Sequence, residues 1–349
     1  MEREWIDLLR GGLIGPPAMS GKNRQRVHYG GRLNPEQTVL TNEQMTLRDQ
    51  FLARHPWAAS WWRPAPGGAK VLLWFVLIHA TAAAGFFFVP LPSWPIALAA
   101  FILTWLGGIG TTVCYHRSLA HRALRLNPVV RNALTFFAVL NGSGTPTAWT
   151  ANHRLHHATS DTVEDVSSPR IGGFWWAHLR WIWQAGEASV QRYSPDLDRP
   201  EYRVWNHLQV PMMILSFFGG LAFGLEGFFW LGAIRLVFSL HAQCFVNSIC
   251  HMGGPATAPG QDSSRNVPWL AVWHLLQGEN WHGNHHAQPW SARLGLKPLQ
   301  VDAGWWVIVV LEKLRLAVDV RRPRPGIISA QMQVPVTVES SRPLILKTD

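Results

Sequence analysis

The sequence has little cysteine and little charge. Only three of its 349 residues are cysteines, and no two of them have the C-x-x-C spacing. This argues against a disulfide framework, and we expect each thiol to be a small buried side chain. Charged residues make up 15% of the chain, against about 25% in ordinary soluble proteins. The composition is typical of a protein with much of its surface in lipid.

The N-terminus also lacks the pattern of a secretory signal peptide, because residues 1–4 are mixed in charge and no apolar segment follows them. The 31 basic and 21 acidic residues give a net charge of +10. Such an excess suits an anionic lipid surface or an acidic protein partner. Nucleic acid ranks last, since no nucleic-acid-binding motif accompanies the charge. The chain has 20 tryptophans, a residue type that collects where a bilayer meets water.

Four apolar runs are expected to cross a membrane as helices, at residues 71–89, 96–115, 210–225 and 227–249. A span needs about 20 apolar residues for a hydrocarbon layer about 30 Å thick. The links at 90–95 and around Glu226 are short, so the runs form two helical hairpins. Arg235, near the start of the last run, is expected to extend its side chain to the interface.

Charge predicts the orientation of these spans. Residues 1–70, 115–207 and 252–349 carry ten Lys or Arg each, and the hairpin links carry none. The excess of basic residues in cytoplasmic segments therefore assigns both termini and all three segments to the cytosol. We predict a polar tail at 1–65, a membrane domain at 66–325 and a disordered tail at 326–349. The short apolar stretches 129–140 and 174–183 are expected to lie in the membrane surface or to wall a channel for an apolar molecule.

Nine of the 16 histidines fall into four short motifs. Two of the motifs have the pattern H-x-x-H-H, which puts three imidazoles on one face of a helix. The other two are H-x-x-x-x-H and Asn247 followed one turn later by a histidine. Among the motifs with more than one histidine, His116 and His121 form the first motif, residues 153–157 the second and residues 282–286 the third. The nine are His116, His121, His153, His156, His157, His251, His282, His285 and His286.

Neutral imidazole is a good ligand for Fe, Zn, Cu and Ni. Nine imidazoles exceed the needs of one ion, so they favour two ions with four or five protein ligands each. The H-E-x-x-H pattern of zinc proteases is absent. His116 and His121 are five residues apart, about 140° around a straight α-helix. Either the helix ends here or the two side chains serve different ions.

Several other polar residues stand near the motifs. Asp161 and Asp165 follow the second motif and are expected to orient its imidazole N–H groups, as metal-bound histidines usually require. Glu279, three residues before His282, could do the same or face solvent. His241 could support the site or form a hydrogen bond between helices. His79 lies inside the first predicted span, where we expect a hydrogen bond between helices rather than a metal ligand. The other histidines are interpreted as ordinary surface or interface residues: His28, His55, His178, His207 and His274.

On these motifs the chain resembles the membrane-bound fatty acyl desaturases, in the stearoyl-type Δ9 branch. The matching residues are Tyr115 to Arg122, Trp149 to His157, Val246 to His251, Ser264 to Asn266, Gly278 to His286, and Ser291 to Gly295. The resemblance covers residues 70 to 325. It implies an all-α integral membrane protein with four transmembrane helices in two hairpins and a cytosolic helical cap that carries the histidine motifs.

The resemblance also implies the chemistry. Two iron ions would activate O2 and remove two hydrogens from an acyl chain, with the nine motif histidines as ligands and Asn247 bound through water. Electrons would come from a separate protein such as ferredoxin or cytochrome b5, since no cytochrome b5-like domain is visible. The substrate would be an acyl-CoA, an acyl-lipid or an acyl carrier protein conjugate, and Trp149 is a candidate wall of its channel.

The sequence leaves three outcomes open for such a site. A cis double bond, at Δ9 by the resemblance, is the first. The same irons could instead hydroxylate the chain or form an alkyne or a terminal alkene. A non-enzymatic metal-binding membrane protein is more remote, because the histidines gather at the ends of the apolar runs. Gly283 and the segment Asp165–Ser167 depart from the family pattern and leave the acyl carrier open.

Overall fold

The computed structural model describes residue 52 and residues 54–252 and 262–324. Most of the predicted tail at 1–65 and all of that at 326–349 lie outside these residues. The described part is mostly helical, with one antiparallel pair of two-residue strands, Arg125–Leu126 and Ala317–Val318. The all-α class predicted from the sequence is thus the observed one.

Within the described residues, three helical stretches are long and apolar enough to cross a membrane, whereas four spans were predicted. The first, Ala69–Phe88, agrees with the predicted span 71–89. The second, Trp94–Ala120, continues five residues beyond the predicted end at 115, and its last turns are π-helical. The third, Pro200–Cys250, is 51 residues long and contains both remaining predicted spans. Its first helix begins ten residues before the predicted start at 210.

The third stretch reverses its direction in the middle. The α-helix Pro200–Phe218 is followed by the 3₁₀-helix Gly219–Phe223 and by Gly224 at φ 75°, a backbone conformation that favours glycine. Returning residues then pack on the first helix, and the Phe217 and Phe228 rings are 5.4 Å apart. The helical segments follow one another without a gap in sequence, so the stretch is continuous although the chain folds back.

Shorter helices connect the long stretches and carry most of the candidate site. The sequence marks where two of them begin, since Asn127 and Thr145 cap their first turns and each is followed by proline. The connecting helices are Pro56–Ala58, Pro128–Leu140, Pro146–Thr159, Pro169–Gly172, Trp176–Arg180, Trp181–Gln184, Val190–Tyr193 and Pro195–Leu197. The remaining segments are Gly224–Gly227, Phe228–Ile234, Arg235–Cys250, Leu270–Trp273, His282–Ala287 and Ala303–Lys313.

Arg235 does not extend to the interface as predicted. It is 3% exposed, and its guanidinium donates hydrogen bonds to Asn141 Oδ1 at 2.9 Å, to the Leu231 carbonyl at 2.7 Å and to Ser216. Helix Pro128–Leu140 ends beside this part of the chain, and its C-terminal Asn141 supplies an acceptor. Polar partners from neighbouring helices thus replace water around the buried cation.

Candidate metal centre

The H-x-x-x-x-H motif lies on a π-helix, Gly110–Ala120, which ends at His121. A π-helix has i→i+5 hydrogen bonds, so residues five apart come near one another. The backbone N–H of His121 donates to the His116 carbonyl at 3.1 Å. The ring centroids of the two histidines are 5.1 Å apart. The winding, together with the end of the helix, brings both rings to one place, which a straight α-helix would not allow.

The other motifs approach from three more helices. The second lies on Pro146–Thr159, and His251 follows the last residue of Arg235–Cys250. The third motif opens the short helix His282–Ala287, which two side chains hold to the following segment. The Trp281 indole donates to the Val301 carbonyl at 2.7 Å, and Asn284 Nδ2 donates to the Leu294 carbonyl at 2.8 Å.

The nine motif histidines form two clusters. The five-histidine cluster and the four-histidine cluster each bring their ligand nitrogens within 4.8 Å of one another. The first contains His116, His121, His153, His157 and His285; the second contains His156, His251, His282 and His286. The H-x-x-H-H motifs are therefore divided, because each contributes histidines to both clusters. The ring centroids of His157 and His286, one from each cluster, are 4.3 Å apart, so the clusters are neighbours.

Nε2 atoms converge inside each cluster. In the five-histidine cluster, Nε2 of His285 is 3.0 Å from that of His116 and 2.9 Å from that of His157. In the four-histidine cluster, Nε2 of His282 is 2.9 Å from that of His251 and 3.0 Å from that of His286. Two imidazoles bound to one ion at about 2.1 Å and at right angles have nitrogens about 3.0 Å apart. The arrangement is compatible with metal sites.

Carboxylates bind the outward nitrogens of four of these rings. Glu279 accepts from His116 Nδ1 at 3.0 Å, and Asp165 accepts from His156 Nδ1 at 2.9 Å. Asp161 lies 3.4 Å from His251 Nδ1. Asp262 accepts from His286 Nδ1 at 2.6 Å. Each contact directs Nε2 of the ring inward. Asp262 was missed from the sequence, because no local pattern marks it and it comes close to His286 only in the fold.

A buried arginine lies behind Glu279. The guanidinium of Arg117 is 1% exposed and forms two hydrogen bonds with Asp302, at 2.8 and 3.1 Å. It also lies 3.8 Å from Glu279. Asp302 in turn accepts the N–H groups of Leu294 and Trp305 at 2.7 and 2.9 Å. The helix of the first motif is thus joined to the chain that follows the third motif.

Burial keeps most of the cluster imidazoles neutral. It lowers the pKa of His153, His157, His282, His285 and His286 well below the ordinary value, and neighbouring imidazoles lower it further. Burial opposes the charged form of His156 too, but Asp165 raises the pKa of this ring. Burial also opposes ionisation of Glu279, yet His116 and Arg117 lower the pKa of the carboxyl to about 2. Neutral imidazole is the form that binds a metal.

The remaining candidates lie at different distances from the clusters. Trp149 is half-buried and stacks on His153 with ring centroids 4.8 Å apart. Asn247 is half-buried, one turn before His251 on the same helix. His241 is in neither cluster; its Nε2 is 3.1 Å from that of His79, and its Nδ1 is 2.8 Å from His178 Nε2. Of its two interpretations, the structure shows the hydrogen bond between helices.

Two of the histidines interpreted as surface or interface residues are buried. His178 is 2% exposed and its Nδ1 is 2.9 Å from Ser248 Oγ. His274 is 5% exposed and its Nε2 donates to the Ala242 carbonyl at 2.8 Å. Their sequence neighbourhoods are partly apolar, but only the packing of the chain decides that these rings lie inside. His207 is exposed, as predicted.

The sequence comparisons agree with one another. A profile of the fatty acid desaturase family matches residues 92–301. The chain belongs to this family. It is 37% identical over 241 residues to the Delta-9 acyl-lipid desaturase 1 of Arabidopsis thaliana, covering 66% of this chain and 77% of that protein. Fatty acid desaturases are oxidoreductases, so the chain is an enzyme rather than a metal carrier.

Two further relatives show how widely the family varies. The sn-1 stearoyl-lipid 9-desaturase of Synechocystis sp. is 36% identical over 265 residues, 72% of this chain and 80% of that protein. An acyl-CoA 5-desaturase of Anemone leveillei is 36% identical over 230 residues, 62% of this chain and 68% of that protein. The resemblance to Δ9-type desaturases is thereby confirmed. The acyl carrier differs among relatives of equal similarity.

Proposed function

We propose that this desaturase introduces a cis double bond at Δ9 of a lipid-bound acyl chain, using two iron ions and O2. The observation that carries the proposal is the pair of adjacent histidine clusters within a fatty acid desaturase sequence. Several relatives are named as Δ9 desaturases of acyl-lipids, which favours a lipid carrier over CoA or acyl carrier protein. The overall reaction consumes O2, two electrons and two protons, and it yields the alkene and two waters.

The donor atoms suit two iron ions. The clusters would supply five and four imidazoles, and Asn247 would complete the smaller set through a water molecule. Nε2 of His156 is buried and has no hydrogen-bond partner among the described residues, a deficit that a bound ion would remove. When bound, iron would supply the activation of O2 and the hydrogen abstraction, and the protein would fix which carbon approaches.

The protein side chains would orient the ligand histidines and keep water away from the acyl chain. Asp161, Asp165 and Glu279 would fix the tautomer and the direction of the ligand rings. The indole of Trp149, stacked on His153, would form one wall of the acyl channel and keep water from the reacting carbons. His241, bonded to His79 and His178, would support the site only indirectly by tying the cap to the membrane helices.

The same proposal includes four spans in two hairpins, with the site and both termini in the cytosol. The reversal at Gly219–Gly224 supports a second hairpin within the third stretch. The tips of the two hairpins also meet: the Ser93 N–H donates to Glu226, and the Trp230 indole donates to the Pro90 carbonyl at 3.0 Å. Electrons would come from a separate ferredoxin or cytochrome b5, whose acidic surface the net charge of +10 would attract.

The test is expression in a host that lacks its own Δ9 desaturase. Membrane lipids are separated by class, and the position of each new double bond is located by mass spectrometry. We expect Δ9-unsaturated chains on glycerolipids. A hydroxylated, acetylenic or terminally unsaturated product would instead favour those alternative outcomes, and products confined to the acyl-CoA pool would contradict the lipid carrier. The His285→Ala variant is the inactive control.

A further inference from the structure

The carboxylates behind the two clusters are distributed unequally. In the four-histidine cluster, three of the four rings have a carboxylate at Nδ1: Asp165, Asp161 and Asp262. In the five-histidine cluster, Glu279 is the one carboxylate bonded to a ligand ring within the described residues. The smaller ligand set therefore has the larger number of anionic partners.

The single carboxylate of the five-histidine cluster also shares a cation. Arg117 lies 3.8 Å from Glu279, which weakens the field that the carboxylate exerts on the cluster. Within the described part of the chain, no lysine or arginine forms an ion pair with any of the three aspartates. Asp165 instead accepts a hydrogen bond from the Ser167 hydroxyl at 3.0 Å, and Asp161 accepts from the Ser168 and Ser263 hydroxyls at 2.6 and 2.5 Å. Asp262 accepts the backbone N–H of Ser264 at 3.0 Å. Neutral hydroxyls leave the negative charge in place.

A carboxylate that accepts the outward N–H of an imidazole makes the opposite nitrogen a stronger donor to a metal. Stronger donation and nearby negative charge both favour the higher oxidation state of iron. We infer that Asp161, Asp165 and Asp262 make the four-histidine cluster the lower-potential half of the centre. The five-histidine cluster stays at the higher potential, because Arg117 partly offsets the charge of Glu279. The inference rests on the proposed di-iron function, and it assigns these four carboxylates a role in tuning as well as in orientation.

The test is a redox titration of the iron-loaded protein in detergent, with ⁵⁷Fe and Mössbauer detection, so that ferrous and ferric ions are counted at each potential. Two separate one-electron steps are expected. Asp165→Asn should raise the lower potential and narrow the gap between the steps. Glu279→Gln should raise the higher potential and widen the gap. Loss of one charge-assisted hydrogen bond should change the equilibrium constant for electron transfer between the two irons about tenfold.

Milder variants protect the test against loss of iron or of folding. The Ser167 hydroxyl donates to Asp165, and the Thr112 hydroxyl donates to Glu279. Ser167→Ala frees its carboxylate to accept more strongly from the ligand histidine, so the gap should widen. Thr112→Val does the same at the other cluster, so the gap should narrow. At each cluster, the variant that removes the carboxylate charge and the variant that removes the hydroxyl should therefore change the gap in opposite directions. General destabilisation would not produce this pattern.

The possible outcomes distinguish a failure of this inference from a failure of the proposed di-iron function. Two irons that oxidise at one common potential, or gaps that move in the same direction in Asp165→Asn and Glu279→Gln, would overturn the inference and leave the desaturase function intact. A protein that takes up no iron pair would overturn both. Asp165→Glu, which keeps the charge, should restore the gap if the electrostatic assignment is right.

Discussion

The imidazole nitrogens of the two clusters lie close together. Individual histidines should nevertheless contribute unequally to metal binding. In the five-histidine cluster, Nε2 of His285 lies within 3.0 Å of the Nε2 atoms of both His116 and His157. We predict that His285→Ala removes detectable desaturation and lowers bound iron from two ions to one or none per chain. Iron is measured by plasma emission spectrometry on purified protein, and activity by lipid analysis.

The matched control is an exposed histidine outside both clusters. His207→Ala changes the same residue type on the helix Pro200–Phe218, away from the motifs. It should retain two irons and full product formation. If both variants lost iron to the same extent, the loss would reflect general damage, and the assignment of His285 as a ligand would be wrong.

At the scale of elements, the reversal within Pro200–Cys250 depends on two glycines that touch. A Cβ added to Gly220 would collide with the carbonyl of Gly227, and one added to Gly227 would collide with the carbonyl of Gly220. Both obstacles are backbone atoms, which cannot rotate away. We predict that Gly220→Val destabilises the protein by about 1–3 kcal/mol, the usual cost of overpacking. The measurement is the thermal unfolding midpoint in detergent.

The neighbouring Gly219 provides the comparison. A Cβ there would meet only the end of the Leu215 side chain, at 3.3 Å. Gly219→Ala should therefore leave the unfolding midpoint nearly unchanged. Equal destabilisation by the two substitutions would mean that the close approach of residues 220 and 227 is not what holds the reversal together.

Sequence patterns predicted the features that repeat along one helix. They did not predict the features that depend on contacts between distant segments. Apolar length located the membrane-crossing stretches, and the H-x-x-H-H spacing identified histidines on one helical face. The π-winding before His121 leaves no mark in a 3.6-residue period, so the spacing of the sequence did not predict it. The partner of His286, Asp262, is 24 residues away in sequence. Arg235 was wrongly assigned to the interface, because two of its acceptors, Asn141 and Ser216, are distant in sequence and come close only in the fold.

At the scale of the whole molecule, many neutral imidazoles buried together should make the metal-free protein sensitive to acid. Burial holds the pKa of His282, His285 and His286 far below the ordinary value. The unfolded chain takes up protons at these rings near a pKa of about 6.5, whereas the folded chain does not. The contribution of these rings to the free energy of unfolding is therefore fully present above that pH and is lost as the pH falls below it.

We accordingly predict that the unfolding midpoint of the metal-free protein decreases from pH 7.5 to pH 5.5, and that it changes little from pH 7.5 to 8.5. His156, whose pKa Asp165 raises against the effect of burial, works in the opposite direction but is one ring against several. Intrinsic tryptophan fluorescence during heating measures the midpoint. A midpoint that rises on acidification would contradict the neutral state of the clusters.

Orientation in the membrane is the largest consequence of the charge distribution, and accessible cysteines can test it. The three native cysteines are buried, so the background of labelling by a membrane-impermeant maleimide should be low. Leu91, in the first hairpin link, is 82% exposed, and Leu299, after the third motif, is 92% exposed. Single Leu91→Cys and Leu299→Cys variants report on opposite ends of the spans.

In intact cells, the reagent should label Leu91→Cys and spare Leu299→Cys. Inverted vesicles should give the reverse result, which controls for a cysteine that is merely unreactive. The expected pattern follows from the ten basic residues in each long segment and their absence from the hairpin links. Labelling of both positions from one side would mean that the hairpin tips and the histidine clusters share a face. That result would overturn the four-span topology, because this topology places three crossings, an odd number, between residues 91 and 299 and therefore puts them on opposite sides.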